Sequence, residues 1–318
     1  MNHVLITSRS LGSGNLDIDS EIKSSGFTIS RGPANHDLGQ LASSLESATA
    51  WIAGTGPITK EHLDLAPNLK IIARYGVGVE AVDLQLAKER GIFVTNTPGA
   101  NSDAVAELSI GLMLAALRHV AFGDNQVRAD KWETIPGQEL GSLTVGVVGF
   151  GRIGQGVASK LSGFGSKLLA FDPYATKDAF KNGVTQVATL EELVQQCDVI
   201  TLHAPGSEVL LNAETLKIAK PGVIIINTAR AGLVDEQALA TALRERSVGS
   251  YAADVLSVEN SKQASPLLAE DLKKFVTLTP HIGAQTIQAI DKMGSMAWAN
   301  AKAVLAGEPP INPVEIEQ

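Results

Sequence analysis

Val145-Gly146-Val147-Val148-Gly149-Phe150-Gly151-Arg152-Ile153-Gly154 is the stretch on which the fold turns. Its first four residues are small or β-branched and read as a buried strand. The pattern G-x-G-x-x-G follows at 149–154, and a helix-period segment, Ile153–Leu161, opens inside it. The glycine pattern alone is weak, because 30 glycines in 318 residues produce chance matches. Here a strand precedes it, a helix follows it, and Asp172 ends the next strand, 18 residues after Gly154. That is the context of a dinucleotide-binding βαβ unit. Gly149 makes the turn, Gly151 lets the backbone approach a pyrophosphate, and Gly154 lets helix and strand pack closely. Arg152 and Ile153 put N–H groups of the helix N-terminus beside the phosphates. Asp172 would accept hydrogen bonds from the adenosine ribose, and its charge would repel a 2′-phosphate. The reading predicts NAD rather than NADP; the alternative is a glycine turn in an ordinary βαβ unit, with Asp172 capping a strand.

Working outward, strands alternate with helices on both sides. Toward the C-terminus the expected strands are Thr144–Gly149, Lys167–Phe171, Val184–Val187, Asp198–His203, Val223–Asn227, Ser250–Asp254 and Val276–Thr279. Val223-Ile224-Ile225-Ile226 is continuously apolar, as in a strand covered on both faces. Toward the N-terminus the expected strands are Val4–Thr7, Phe27–Ile29, Ala50–Ala53, Leu69–Ala73 and Ile92–Thr95. Between them lie helices at Asp19–Ser25, Leu38–Ser47, Lys60–Ala66 and Ala81–Arg90. Thr97-Pro98-Gly99 breaks the pattern before a long helix capped by Asn101 or Ser102 and running to His119. A short helix and a loop are expected within Gly123–Gly141, and a last helix over Ala284–Leu305. The fold class is α/β: two Rossmann-like, doubly wound parallel-sheet domains with a cleft between them. One, flavodoxin-like and substrate-binding, takes residues 1–98 plus 285–318; the NAD-binding domain takes 99–284.

Composition narrows the field. The net charge of −8 argues against a nucleic-acid or anionic-membrane surface. The lone cysteine, Cys197, excludes an internal disulfide and a cysteine-only zinc site, and reads as a core residue; no metal is expected. The start, MNHVLITSRS, lacks a charged region followed by a long apolar one, and Leu108–Leu117 is too short to span a bilayer, so a cytoplasmic protein is expected. His3, His36, His62 and His119 have no partner pattern, and Lys177, Lys181, Arg244 and Arg246 read as solvated helix faces.

Open parallel sheets bind ligands beyond the carboxyl ends of their strands. There the second half of the chain places His203-Ala204-Pro205, then Asn227-Thr228-Ala229-Arg230, then Asp254 with Glu259 beyond it, then Thr279-Pro280-His281-Ile282-Gly283. An arginine, two acids and a histidine at successive strand ends predict one convergent site.

These segments resemble the D-isomer-specific 2-hydroxyacid dehydrogenases. The likeness covers nearly the whole chain. It runs through Arg74-Tyr75-Gly76-Val77-Gly78-Val79 with Asp83, Asn96–Asn101 with Val105-Ala106-Glu107, the glycine loop, Asn227–Glu236 and Thr279–Gly283. It implies that His281 is the acid/base acting on the substrate oxygen, that Glu259 pairs with it, and that Arg230 holds the carboxylate and polarises the carbonyl. The N–H groups of Val77 and Gly78 hold the carboxylate's other side. The residues expected at the cofactor are Gly149, Gly151, Arg152, Ile153, Gly154, Asp172, His203, Ala204, Pro205, Thr228, Ala229, Arg230, Asp254, His281 and Gly283. Two departures stand out: Val258-Glu259-Asn260 lacks the usual Glu-Pro, and Pro205-Gly206-Ser207 lacks the usual Pro-x-Thr.

The likeness is strongest to the phosphoglycerate dehydrogenase branch without its C-terminal regulatory domain. A hydroxypyruvate or glyoxylate reductase is the runner-up, and an NAD(H)-sensing, corepressor-like binding protein the rival from another class. Arg74, at a strand end before the Gly76–Gly78 loop, is the expected contact for a substrate phosphate, or else pairs with an acid such as Glu80. The helix at 101–119 is apolar nearly all round, through Ile110, Leu114 and Leu117, which predicts a homodimer formed through it.

Overall fold

The computed structural model describes residues 2–180, 183–206, 208–260 and 264–315; for Asn260 it describes the backbone only. Ser207 and Lys181 lie outside the described residues. The chain divides into two compact units, 1–101 with 284–318, and 102–283.

In the first unit β1 (His3–Ile6), α1 (Ile18–Ser24), β2 (Thr28–Arg31), α2 (Leu38–Ser47), β3 (Ala50–Ala53), α3 (Lys60–Asp64), β4 (Ile71–Arg74), α4 (Leu84–Glu89) and β5 (Phe93–Thr95) follow one another. The strands form one sheet in the order β2-β1-β3-β4-β5, and every pair is parallel. This is one of the two common doubly wound orders. Capping explains where α4 begins: Asp83 accepts from Leu86 N at 3.0 Å, so the helix starts three residues later than Ala81. The strand expected at Leu69–Ala73 is shifted to Ile71–Arg74. Arg74 is therefore its last residue, pairing in register with Ala53.

In the second unit α5 (Ser102–Leu117) and α6 (Val120–Arg128) lead into β6 (Thr144–Val148), α7 (Arg152–Leu161), β7 (Lys167–Phe171), β8 (Val184–Gln186), α8 (Leu190–Gln196), β9 (Val199–Leu202), α9 (Ala213–Lys217), β10 (Val223–Asn227), α10 (Glu236–Arg244), β11 (Val248–Ala253) and β12 (Val276–Leu278). The short helix expected after Gly123 begins earlier, at Val120, where His119 turns the chain in the left-handed region. The final helix α11 (Ile287–Leu305) belongs to the first unit and starts behind Thr286, whose hydroxyl accepts from Ala289 N at 3.2 Å.

The second sheet runs β12-β11-β10-β9-β6-β7-β8, all parallel. Strand order reverses between β6 and β9, the switch point at which such sheets open a crevice for ligands. The unbroken apolar run of β10 follows from burial on both faces. Val223 and Ile225 pack with Leu193, Leu216 and Leu243 on one side, and Ile224 and Ile226 with Leu112, Val145 and Val157 on the other. Gly146 has its own reason: a Cβ there would stand 2.4 Å from Leu193 Cδ2 and 2.6 Å from Cys197 Sγ, so only glycine lets α8 lie this close. Cys197 is buried, and burial pushes its thiol up to about 12. Among the described residues no single helix is long and apolar enough to cross a membrane, and no cluster of His, Cys, Asp or Glu is placed to hold a metal ion.

Candidate active site

The glycine loop leaves β6 and enters α7 as its spacing requires. Gly149 has φ +86°, and a Cβ on it would sit 2.5 Å from Ala204 N and 2.6 Å from the His203 carbonyl carbon. A Cβ on Gly154 would meet Gly149 O at 2.2 Å. Both glycines are demanded by the protein itself. Gly151 is different, since nothing lies within 4 Å of where its Cβ would be. Its missing side chain leaves room beside the first turn of α7, whose N–H groups have no intrahelical partner. Asp172 ties the acidic end to this loop. Its Oδ2 accepts from Phe150 N at 2.7 Å and its Oδ1 from Tyr174 N at 2.8 Å. Beside it lies a cavity of about 420 Å³ lined by Phe171, Asp172, Pro173, Gln186, Val187 and Ala188. His203, at the end of β9, hydrogen-bonds Thr201 Oγ1 through Nε2, while its buried Nδ1 has no partner among the described residues. Burial pushes its imidazole down to about 3, so it is neutral. The open side at Gly151, the cavity at Asp172 and the orphaned His203 nitrogen together fit a dinucleotide.

Further along the same sheet edge, Asn227 shapes the turn that presents Arg230. Its Oδ1 accepts from Ala229 N at 3.0 Å and its Nδ2 donates to Arg230 O at 2.9 Å. Thr228, also buried, shares a 2.7 Å hydrogen bond with Ser109 of α5. Beyond β12 the chain bends sharply, and His281 adopts φ +54°, a left-handed conformation that costs a non-glycine residue energy and collects at functional sites. Asp254 maintains it. Its Oδ1 accepts from Thr279 Oγ1 at 2.5 Å and from Ile282 N at 2.8 Å, and its Oδ2 from Gly283 N at 2.7 Å. The sequence groups Asp254 with the cofactor; the structure shows its buried carboxylate fastening the histidine loop.

His281 Nδ1 donates to Glu259 Oε2 at 2.6 Å, which fixes the tautomer and leaves Nε2 for chemistry. The hydrogen bond to Glu259 raises the imidazole above its ordinary value; burial opposes this, the Glu259 and Asp254 charges add to it, and nearby Arg230 works against it. The structure thus brings Arg230, Asp254, Glu259 and His281 together, and the missing Glu-Pro does not prevent the pairing.

In the first unit, the three carbonyls of the loop after β4 are each held from behind. Gly76 O accepts from Thr97 N at 2.9 Å, Val77 O from Asn96 Nδ2 at 2.9 Å, and Gly78 O from Arg74 Nε at 3.1 Å. Gly76 has φ +141°, a conformation open to glycine. Arg74 is buried, and its Nη1 also reaches Ala53 O at 3.4 Å, so the guanidinium shapes the loop from within.

Fold and site together define an α/β framework of two parallel sheets, the second carrying a dinucleotide-binding glycine loop. The family model described as "D-isomer specific 2-hydroxyacid dehydrogenase, NAD binding domain" matches residues 110–283, and the chain belongs to that family. It is 40% identical over 274 residues to a D-3-phosphoglycerate dehydrogenase of Mycobacterium leprae, covering 84% of this chain and 51% of that one. It is also 40% identical over 247 residues to a hydroxypyruvate reductase of Thermotoga maritima, covering 74% of this chain and 78% of that one. The chain spans about half the length of the phosphoglycerate dehydrogenases it matches. The crystal structure of a Thermus thermophilus protein superposes with a TM-score of 0.87 at 35% identity, covering 98% of this chain and 100% of that one.

Proposed function

We propose that the protein interconverts a small D-2-hydroxy acid and its 2-keto acid with NAD as cofactor. The observation that carries this is the His281–Glu259 pair, with Arg230 beside it, on the sheet edge that also presents the glycine loop. When bound, the nicotinamide supplies or takes the hydride at substrate C2. Gly149, Gly151, Arg152, Ile153 and Gly154 would hold its pyrophosphate and Asp172 its ribose. His203, Ala204, Pro205, Thr228, Ala229, Asp254 and Gly283 would line the rest of its site.

His281 moves the proton. Its Nε2 protonates the carbonyl oxygen in reduction and receives the hydroxyl proton in oxidation, while Glu259 stabilises the imidazolium. Arg230 presents a planar, permanently charged fork to the carboxylate and the carbonyl oxygen. In the first unit we assign the Val77 and Gly78 N–H groups to binding a substrate carboxylate, as the family resemblance implies, because the loop's carbonyls are all held elsewhere. From the sequence Arg74 is expected at a substrate phosphate, but it is buried against Gly78 O and Ala53 O, so we assign it to holding this loop. 3-Phosphoglycerate stands as a substrate on the likeness to the phosphoglycerate dehydrogenases. Hydroxypyruvate and glyoxylate are the other substrates we infer. Steady-state NADH oxidation with 3-phosphohydroxypyruvate, hydroxypyruvate, glyoxylate and pyruvate tests the reading, and turnover with none of them would refute it.

Cofactor choice follows from Asp172. NADH is expected to exceed NADPH by about tenfold or more in kcat/KM, tenfold being about 1.4 kcal/mol; Asp172→Ser should narrow that ratio, and an equal ratio in the parent protein would discard the assignment.

We further propose a homodimer formed through α5. Ile110 and Leu114 on that helix are only partly covered, whereas Leu117, expected to join them, is buried in the chain's own core; the adjoining segment exposes Val120, Val127 and Trp132. Exposed large apolar residues of this kind favour an interface. Light scattering at micromolar concentration should give twice the monomer mass, and a monomer there would refute it. We also propose a cytoplasmic location and, from the net charge of −8, no nucleic-acid or anionic-membrane partner.

A further inference from the structure

Glu259 lies on a single 3₁₀ turn, Ser257–Asn260, and exposed carboxylate–imidazole pairs gain little in water because holding two mobile side chains together costs entropy. Its 2.6 Å contact with His281 therefore needs a turn that is itself held. Local bonds contribute: Leu256 N donates to Glu259 Oε1 at 2.9 Å, and Glu259 N donates to Leu256 O at 3.2 Å.

The stronger fastening comes from Glu236, the first residue of α10. Its Oε1 accepts from Ser257 N at 2.8 Å, and its Oε2 from Ser257 Oγ at 2.8 Å and Ser265 Oγ at 2.5 Å. One carboxylate thus holds two points of the chain on either side of Glu259 in sequence. Ser265 is buried and in turn caps Leu267 N at 3.2 Å, so the far point is anchored in the core. Glu236 is fixed from its own side as well, since Asp235 caps α10 by accepting from Gln237 N and Ala238 N at 3.0 Å.

Resting on the assignment of Glu259 and His281 to the reaction, we propose that Glu236 is a positioning residue whose clamp on Ser257 and Ser265 keeps Glu259 in register with His281. The charged groups facing His281 are Glu259, Asp254 and Arg230; the group facing Glu236 is the buried phenol of Tyr251, raised first by burial and further by the Glu236 charge, against a hydrogen bond with Asn227. Losing the clamp should act on the imidazole as losing Glu259 does, at one remove.

The test is an NMR titration of the His281 imidazole in the full chain, with thermal unfolding as a check that each variant folds. Glu259→Gln should lower the midpoint by about one pH unit, as expected when a close opposite charge is removed. Glu236→Ala should lower it by a large part of that amount. Glu236→Gln, which keeps an acceptor for Ser257 N and whose amide N–H can donate to the two serine hydroxyls, keeps both points held and should restore most of it. Ser257→Ala/Ser265→Ala keeps the charge at 236 and should also lower the midpoint. If Glu259→Gln lowers it but Glu236→Ala does not, the clamp is refuted and the catalytic pair stands. If Glu236→Ala lowers it and the double serine variant does not, Glu236 acts by charge and the clamp is again refuted. No change in Glu259→Gln would bring down the pair and the clamp together.

Discussion

His281→Ala is expected to lower kcat by about 10²- to 10⁴-fold, the usual contribution of a positioned acid–base group, while leaving the Kd for NADH nearly intact. The separation follows from where the residue stands. The glycine loop and Asp172 hold one another through Phe150 N, whereas His281 is fixed by Asp254 and Glu259 on a different loop. Removing the imidazole takes away the proton carrier and leaves the contacts of the glycine loop and Asp172 in place. Alanine is an imperfect probe, because position 281 has φ +54° and a β-carbon residue there stores strain. His281→Asn is the cleaner variant: asparagine tolerates the left-handed region, and its amide can still donate toward Glu259, but it cannot exchange a proton. Both variants should lose turnover equally in a keto-acid reduction assay, with NADH binding followed by fluorescence. A fall of less than about tenfold would be too small for general acid–base catalysis and would remove His281 from the mechanism.

Much of this is legible in the sequence, for physical reasons that differ by element. β10 could be read without ambiguity because both faces of the strand are buried and every position must be apolar. The glycine loop could be read because two of its three glycines are forced by backbone contacts under 3 Å, which no other residue can meet. Boundaries were less accessible. α4 and α11 start late because their caps, Asp83 and Thr286, sit inside stretches whose composition already suits a helix.

The site divides in the same way. Arg230 and His281 stand at strand ends, where topology alone places ligand-binding groups. Glu236 was not legible as part of it. A glutamate at the first position of a helix is well explained by the helix dipole, and nothing in Ser257 or Ser265 announces that both reach the same carboxylate. Asp254 likewise gives no sign in sequence that its two oxygens gather Thr279, Ile282 and Gly283.

His36 shows the limit most clearly, and it sets the second large effect: the first unit should lose stability as pH falls below about 6.5. The sequence gives this histidine no partner pattern, yet it is 2% exposed and fully engaged. Its Nδ1 donates to Pro57 O at 3.0 Å, so its Nε2 accepts from the Thr7 hydroxyl at 2.7 Å, and Thr7 Oγ1 accepts from Trp51 Nε1 at 2.9 Å. The network requires a neutral ring. Burial pushes the imidazole down to about 4, with Arg74 and His62 adding to the effect and the Pro57 carbonyl opposing it. The folded-state value is depressed, so between about 6.5 and 4 the unfolded chain binds a proton that the folded chain refuses. Stability from this group is complete above pH 6.5, falls through that window, and levels off below 4. At pH 5 the loss is about 2 kcal/mol, at about 1.4 kcal/mol for each pH unit below 6.5. His281 acts with the opposite sign, its value being raised, but it is half exposed and contributes little. His36→Asn isolates the effect, because asparagine suits the left-handed backbone at φ +56° and its amide can still donate to Pro57 O while carrying no titrating proton. Urea unfolding at pH 7.5 and pH 5.0 should show the parent losing about 2 kcal/mol more than the variant across that interval. The variant should be the less stable of the two at pH 7.5, since the Thr7 hydroxyl loses its acceptor. Equal losses in both proteins would mean that His36 is not the group whose protonation opens this unit.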